Sequence, residues 1–111
     1  MNENGMVSRR GAQERVVDEI FSSLEKLGID IERDQIQLER PNDPANGDFS
    51  CNIALAEAGR AKRNPRQLAS DIISNIEFSP DFIDRVEVAG PGFINFSFSH
   101  SYLTDQVVRI Y

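Results

Sequence analysis

The sequence predicts an α+β domain, in which an antiparallel sheet carries helices on one face. Three observations predict it. Apolar residues recur at helical spacing over residues 12–27, alternating runs lie around Ile36–Leu38 and Val86–Phe98, and two helix signals stand between those runs. The resulting order is helix, strand, strand, helix pair, strand, strand, helix. Strands that follow one another in pairs suit an antiparallel sheet better than the strict alternation of a parallel one. At 111 residues the chain is the size of one domain and long enough to bury a core.

Each element has its own local cause. Residues 1–11 are polar, hold Gly5 and Gly11, and show no periodicity, so they are expected to form a flexible tail ahead of a domain over 12–111. Val16, Val17, Ile20, Phe21, Leu24 and Leu27 predict a helix, and Gly28 stands where a left-handed C-terminal cap belongs. Ile29–Arg40 alternates through Ile36 and Leu38 and predicts a half-buried strand. Pro41, Pro44 and Gly47 then forbid regular structure in the loop PNDPANGD, which is longer than a hairpin needs. Phe49–Cys51 predicts a short strand, after which Asn52 is placed to cap a helix holding Ile53, Ala54, Leu55, Ala58 and Ala61.

Asn64-Pro65-Arg66-Gln67 predicts a second helix start. Asn caps, proline occupies the first position, where its missing N–H costs nothing, and Gln67 can complete a capping box. Leu68, Ala69, Ile72, Ile73 and Ile76 give that helix its buried face. Val86 and Val88, then Ile94, Phe96 and Phe98, predict a hairpin joined at Ala89-Gly90-Pro91-Gly92. Leu103, Val107 and Ile110 keep helical spacing to Tyr111 with no stop signal, so this helix is expected to continue into a further domain.

Composition limits the function. A net charge of −6 opposes binding of nucleic acid through a general positive field, so any such contact must be local. Arg60, Lys62, Arg63 and Arg66 form one local cluster, readable either as a phosphate-facing patch or as a solvated helix end. No apolar run can span a bilayer, and MNENGMVSRRGAQ lacks the apolar centre of a signal peptide, so a cytoplasmic location without membrane contact is expected. One cysteine and one histidine cannot assemble a closed zinc site. A thiol enzyme pairing Cys51 with His100 has nothing in the spacing to support it, and Cys51 reads more simply as a small packed residue.

Gly90-Pro91-Gly92 invites a phosphate-loop reading, but Phe93–Phe98 has the period of a strand, and phosphate loops open a helix. A tight turn is expected. The outward strand positions Phe93 and Asn95, with Phe49, Asn46 and Asn52, would offer an unstacked base an aromatic surface and amide hydrogen bonds. The alternative is that both aromatics lie in the core.

Those residues carry a family resemblance. Pro41-Asn42-Asp43 running into Asn46-Gly47-Asp48-Phe49-Ser50-Cys51-Asn52-Ile53-Ala54-Leu55, then Asn64-Pro65 before a helix, then Val86 to Phe96 through Gly90-Pro91-Gly92-Phe93-Ile94-Asn95, resemble the N-terminal additional domain of arginyl-tRNA synthetase. Asn46 stands where the family often has His, and Cys51 where it commonly has Thr or Cys.

The resemblance implies a two-layer fold with a four-stranded antiparallel sheet, and a parent class I aminoacyl-tRNA synthetase that joins arginine to tRNA(Arg). The parent's catalytic domain would use ATP with Mg; its His-Ile-Gly-His-like and Lys-Met-Ser-Lys-like motifs are not in this sequence. This stretch would therefore hold no catalytic residue, cofactor or metal. Its implied role is to contact the D-loop side of tRNA, not DNA, beside the catalytic domain downstream. The tRNA-binding candidates are Asn46, Phe49, Asn52, Arg60, Lys62, Arg63, Arg66, Phe93 and Asn95. The alternative is a module that braces the catalytic domain without touching RNA.

Overall fold

A computed structural model describes residues 9–41, 47–78 and 82–99. Its elements are α1 (Arg9–Lys26), a 3-10 turn (Arg33–Gln35), β1 (Leu38–Glu39), β2 (Phe49–Cys51), α2 (Ile53–Ala61), α3 (Pro65–Ser74), β3 (Ile83–Ala89) and β4 (Phe93–Phe98). The strands form one four-stranded antiparallel sheet in the order β1-β2-β4-β3. This is the α+β architecture expected. The loop residue Asn46 and the helix expected after His100 lie outside the described residues.

Helix α1 begins at Arg9, ahead of the first apolar position, Ala12. Val16, Ile20 and Leu24 are fully buried on one stripe, because positions spaced by four share a helix face. The helix closes at the expected glycine. Gly28 adopts φ 78°, its N–H donates to the Glu25 carbonyl at 3.0 Å, and the Ile29 N–H donates to the Leu24 carbonyl at 2.9 Å. Ser23, buried beside this stripe, donates its hydroxyl to the Ile72 carbonyl at 2.7 Å and so ties α1 to α3.

The strand expected over Ile29–Arg40 is shorter than its alternation suggested. Only Leu38–Glu39 pairs, because Glu32 and Gln35 close a 3-10 turn on each other first, the Glu32 N–H donating to Gln35 Oε1 at 2.8 Å. A local side-chain bond of this kind offers the backbone an alternative to the ladder. Asn64 caps α3 as expected: its Oδ1 accepts from the Arg66 N–H at 2.9 Å and from the Gln67 N–H at 3.4 Å. The capping box does not form, because the Gln67 amide donates to Asp71 Oδ1 instead. Asn52 occupies the N-cap of α2, but its side chain makes no cap bond.

The core lies between the helices and one face of the sheet. Ile94 and Phe96 on the central strand are fully buried there with Leu68, Ala69 and Ile72 of α3 and Ala54 of α2. Edge-on ring contacts extend this layer, with Phe49 5.5 Å from Phe98 and Phe78 6.1 Å from Phe96 between centroids. Gly47-Asp48 secures the end of β2. Gly47 has φ 100°, and a Cβ there would stand 2.8 Å from the Phe96 carbonyl oxygen, so the close approach admits only glycine. The Asp48 N–H donates to that carbonyl at 2.7 Å, while Asp48 Oδ2 accepts from the Phe98 N–H at 2.8 Å, just ahead of Phe49, the first paired residue of β2.

Candidate nucleic-acid interface

The face of the sheet away from the helices is polar. Register sets its composition: Glu39 pairs with Ser50, Ser50 with Asn95, and Asn95 with Glu87, one residue from each strand. Residues directly opposite in an antiparallel pair project to the same side, so these four form a row across the sheet. Phe93 and Ala89 form the next paired position toward the β3–β4 turn. Phe93 is half-buried. Asn95 is only 8% exposed because strands flank it on both sides, yet its side-chain amide has no hydrogen-bond partner among the described residues.

Phe49 is not on this face. It is 3% exposed and pairs with Phe96, so period-two alternation turns both rings toward the helices. The expectation of an exposed stacking ring at Phe49 is thus corrected, and its alternative, a core residue, holds. Asn52 is exposed, and the pairing of Cys51 with Ile94 brings the start of α2 to the Phe93 end of β4. Asn46 lies outside the described residues.

The basic cluster gathers where α2 ends and α3 begins. Arg60 donates to the Asp30 carbonyl at 2.7 Å, and its Nη2 lies 2.8 Å from Glu57 Oε1, an ion pair by distance that is not aligned as a hydrogen bond. Arg63 pairs with Asp71 at 3.0 Å. Arg66 donates to the Gly90 carbonyl. The guanidinium side of each contact is open to solvent, which weakens it, but together these contacts orient three of the four cations inward along the protein. Lys62 alone of the four has no partner among the described residues. It also holds φ 56°, ψ 43°, a left-handed conformation in which its N–H and that of Arg63 close α2 on the Gly59 and Ala58 carbonyls.

The turn and the basic cluster meet. A Cβ on Gly92, whose φ is 149°, would stand 2.9 Å from Pro65 Cβ, so the turn is seated on the first residue of α3. The Gly92 N–H donates to the Ala89 carbonyl at 3.3 Å. These glycines pack against a helix start instead of framing a phosphate cradle. Among the described residues no group of three His, Cys, Asp or Glu is placed to hold a metal ion, and no helix is long and apolar enough to cross a membrane. Cys51 is 1% exposed, and burial pushes its thiol up to about 11, which withholds the thiolate a nucleophile needs. His100 is outside the described residues.

Ser50 and Glu87, a hydroxyl and a carboxylate on either side of Asn95, were not among the sequence candidates. Only strand register brings them there, and register is not written in any one strand.

Comparison with known proteins agrees with this architecture. Residues 14–98 match the family model described as the arginyl tRNA synthetase N terminal domain. An arginine–tRNA ligase of Staphylococcus carnosus (strain TM300) is 39% identical over 92 residues, covering 83% of this chain and 17% of that protein. The chain therefore spans under a fifth of the length of the curated relatives it matches. Among solved structures, the arginyl-tRNA synthetase of Plasmodium falciparum superposes with a TM-score of 0.72 at 18% identity, over 85% of this chain and 17% of that one. That of Thermus thermophilus does so with a TM-score of 0.67 at 18% identity, over 87% of this chain and 15% of that one. At that identity the superpositions speak for the fold, whereas the family match and the staphylococcal relative speak for descent: the chain belongs to the arginyl-tRNA synthetase N-terminal domain family.

Proposed function

We propose that this chain is the tRNA-reading domain of a cytoplasmic arginine–tRNA ligase, and that it contacts the D-loop side of tRNA(Arg) with the Phe93–Asn95 end of its open sheet face. The reading is supported above all by Asn95, a poorly exposed amide without a partner among the described residues, beside a half-buried aromatic. Among the described residues the buried side-chain atom left without a hydrogen bond is Glu57 Oε1, so the Asn95 amide still reaches the surface, where a splayed base supplies both a ring to stack on Phe93 and polar edges for Asn95. Asn52 and Lys62 extend the contact, the first at the strand end and the second as a cation for a phosphate. ATP-dependent activation of arginine belongs to the catalytic domain of such a ligase; this chain's residues bind and orient the RNA.

The test is tRNA affinity and aminoacylation of the full-length ligase. Phe93→Ala and Asn95→Ala are each expected to weaken tRNA binding by about ten- to hundredfold, in line with ~1–3 kcal/mol for a base–aromatic stack. The maximal rate with saturating tRNA should be nearly unchanged, because chemistry lies elsewhere. Unaltered affinity in both variants, with D-loop footprints intact, would sink the proposal and return the domain to a bracing role.

A further inference from the structure

We infer that Arg66 is a positioning residue: it holds the β3–β4 turn so that Phe93 and Asn95 present a fixed surface, and it does not itself bind phosphate. The inference rests on the RNA-facing reading above and reassigns one of its cations. The Arg66 guanidinium donates to the Gly90 carbonyl across 24 residues of sequence. Its own backbone is fixed, because its N–H donates to the Asn64 cap at 2.9 Å. The turn is seated on the preceding residue, Pro65, at Gly92. Two neighbouring residues at the start of α3 thus grip the turn at two points, one by a charge-assisted hydrogen bond and one by van der Waals contact.

The grip has a purpose in the turn's chemistry. Gly90 and Gly92 adopt φ 54° and 149°, conformations that glycine reaches without strain but does not hold by itself. Phe93 follows immediately, so any freedom in the turn becomes freedom of the ring. Ordering it only when RNA arrives would weaken affinity, whereas a turn anchored beforehand avoids that cost. A phosphate would have to compete with the Gly90 carbonyl for the same guanidinium. Of the four cations in this cluster, Lys62, with no such partner among the described residues, remains the one available to RNA.

Salt dependence separates the two roles, because removing one phosphate-binding cation lowers the slope of log Kd against log salt by about 0.7–0.9. Kd for tRNA(Arg) should be measured from low to moderate salt with the full-length ligase and its Arg66→Gln, Lys62→Gln and Phe93→Ala variants. Arg66→Gln is expected to weaken binding by roughly three- to tenfold, the scale of one exposed charge-assisted bond, with an unchanged slope. Lys62→Gln is expected to lower the slope by about 0.7–0.9. In amide spectra of the chain without RNA, Arg66→Gln should shift Gly90, Gly92 and Phe93. A slope reduced in Arg66→Gln, an unchanged affinity, or undisturbed turn amides would each overturn the inference while leaving the RNA face intact. Phe93→Ala without effect would instead overturn the face itself, and the inference with it.

Discussion

Burial decides what Cys51 can do. Desolvation pushes its thiol up from an ordinary 9.0 to about 11; the nearby Glu39 carboxylate adds to the rise, and a hydrogen bond with the Ile53 backbone opposes it. The folded state therefore favours the neutral thiol. Its contribution to stability is fully present below about pH 9 and is lost as pH rises through about 11, by roughly 2–3 kcal/mol at most. Unfolding measured between pH 8 and 11 is expected to show this loss in the wild type and less of it in Cys51→Ala, and thiol reagents should leave Cys51 unmodified at neutral pH. Lys62 presents the opposite case, an exposed residue whose backbone is costly. Left-handed φ 56° at a helix C-terminal cap suits glycine, and a side chain there costs on the order of 1 kcal/mol. Lys62→Gly is expected to raise the melting temperature by about 4 °C while weakening tRNA binding. A variant that gained stability and bound tRNA as tightly as before would show the cation to be idle.

Among the elements, the β3–β4 turn and α3 act as one unit. Gly92→Ala would bring Cβ within 2.9 Å of Pro65 Cβ and 3.1 Å of its carbonyl carbon, atoms that belong to a capped helix start and cannot shift easily. A loss of about 2–3 kcal/mol in chemical denaturation is expected. Gly90→Ala, which meets only Phe93 Cδ2 at 3.6 Å, should cost about 1 kcal/mol from its φ alone. This contact also shows what could be read from sequence. Asn64-Pro65 announced a helix start and Gly90-Pro91-Gly92 a turn, because each depends on neighbours along the chain. That one sits on the other depends on residues about 25 positions apart and left no local trace. The same division runs through the site. Alternation put Phe93 and Asn95 on one face, but could not say which face the helices cover, so Phe49 could equally have been outside. The 3-10 turn at Arg33–Gln35 won over the expected strand because Glu32 and Gln35 bond each other locally.

For the molecule as a whole, charge constrains the proposed contact with RNA. The chain carries −6, and two carboxylates, Glu39 and Glu87, end the polar row across the open sheet face. Phosphate contact is therefore expected to be local, near the α2–α3 junction, where Lys62 has no partner among the described residues and Arg60 and Arg63 are already paired; on the sheet face itself Arg85 lies 3.8 Å from Glu87. Binding by such a domain must draw mainly on shape, stacking and hydrogen bonds, with few ions released. The isolated chain should then bind tRNA(Arg) weakly, with a slope of log Kd against log salt corresponding to about one or two phosphates. Between 50 and 200 mM salt its affinity should fall by roughly three- to twelvefold. Duplex DNA, which offers phosphates but no splayed bases, should compete poorly at every salt concentration. Titration of labelled tRNA across that range, with duplex competitor, checks the expectation. A slope equivalent to more than about four phosphates, or equal competition by the duplex, would mean that a positive field does the binding, and the acidic face would then have to lie away from the RNA altogether.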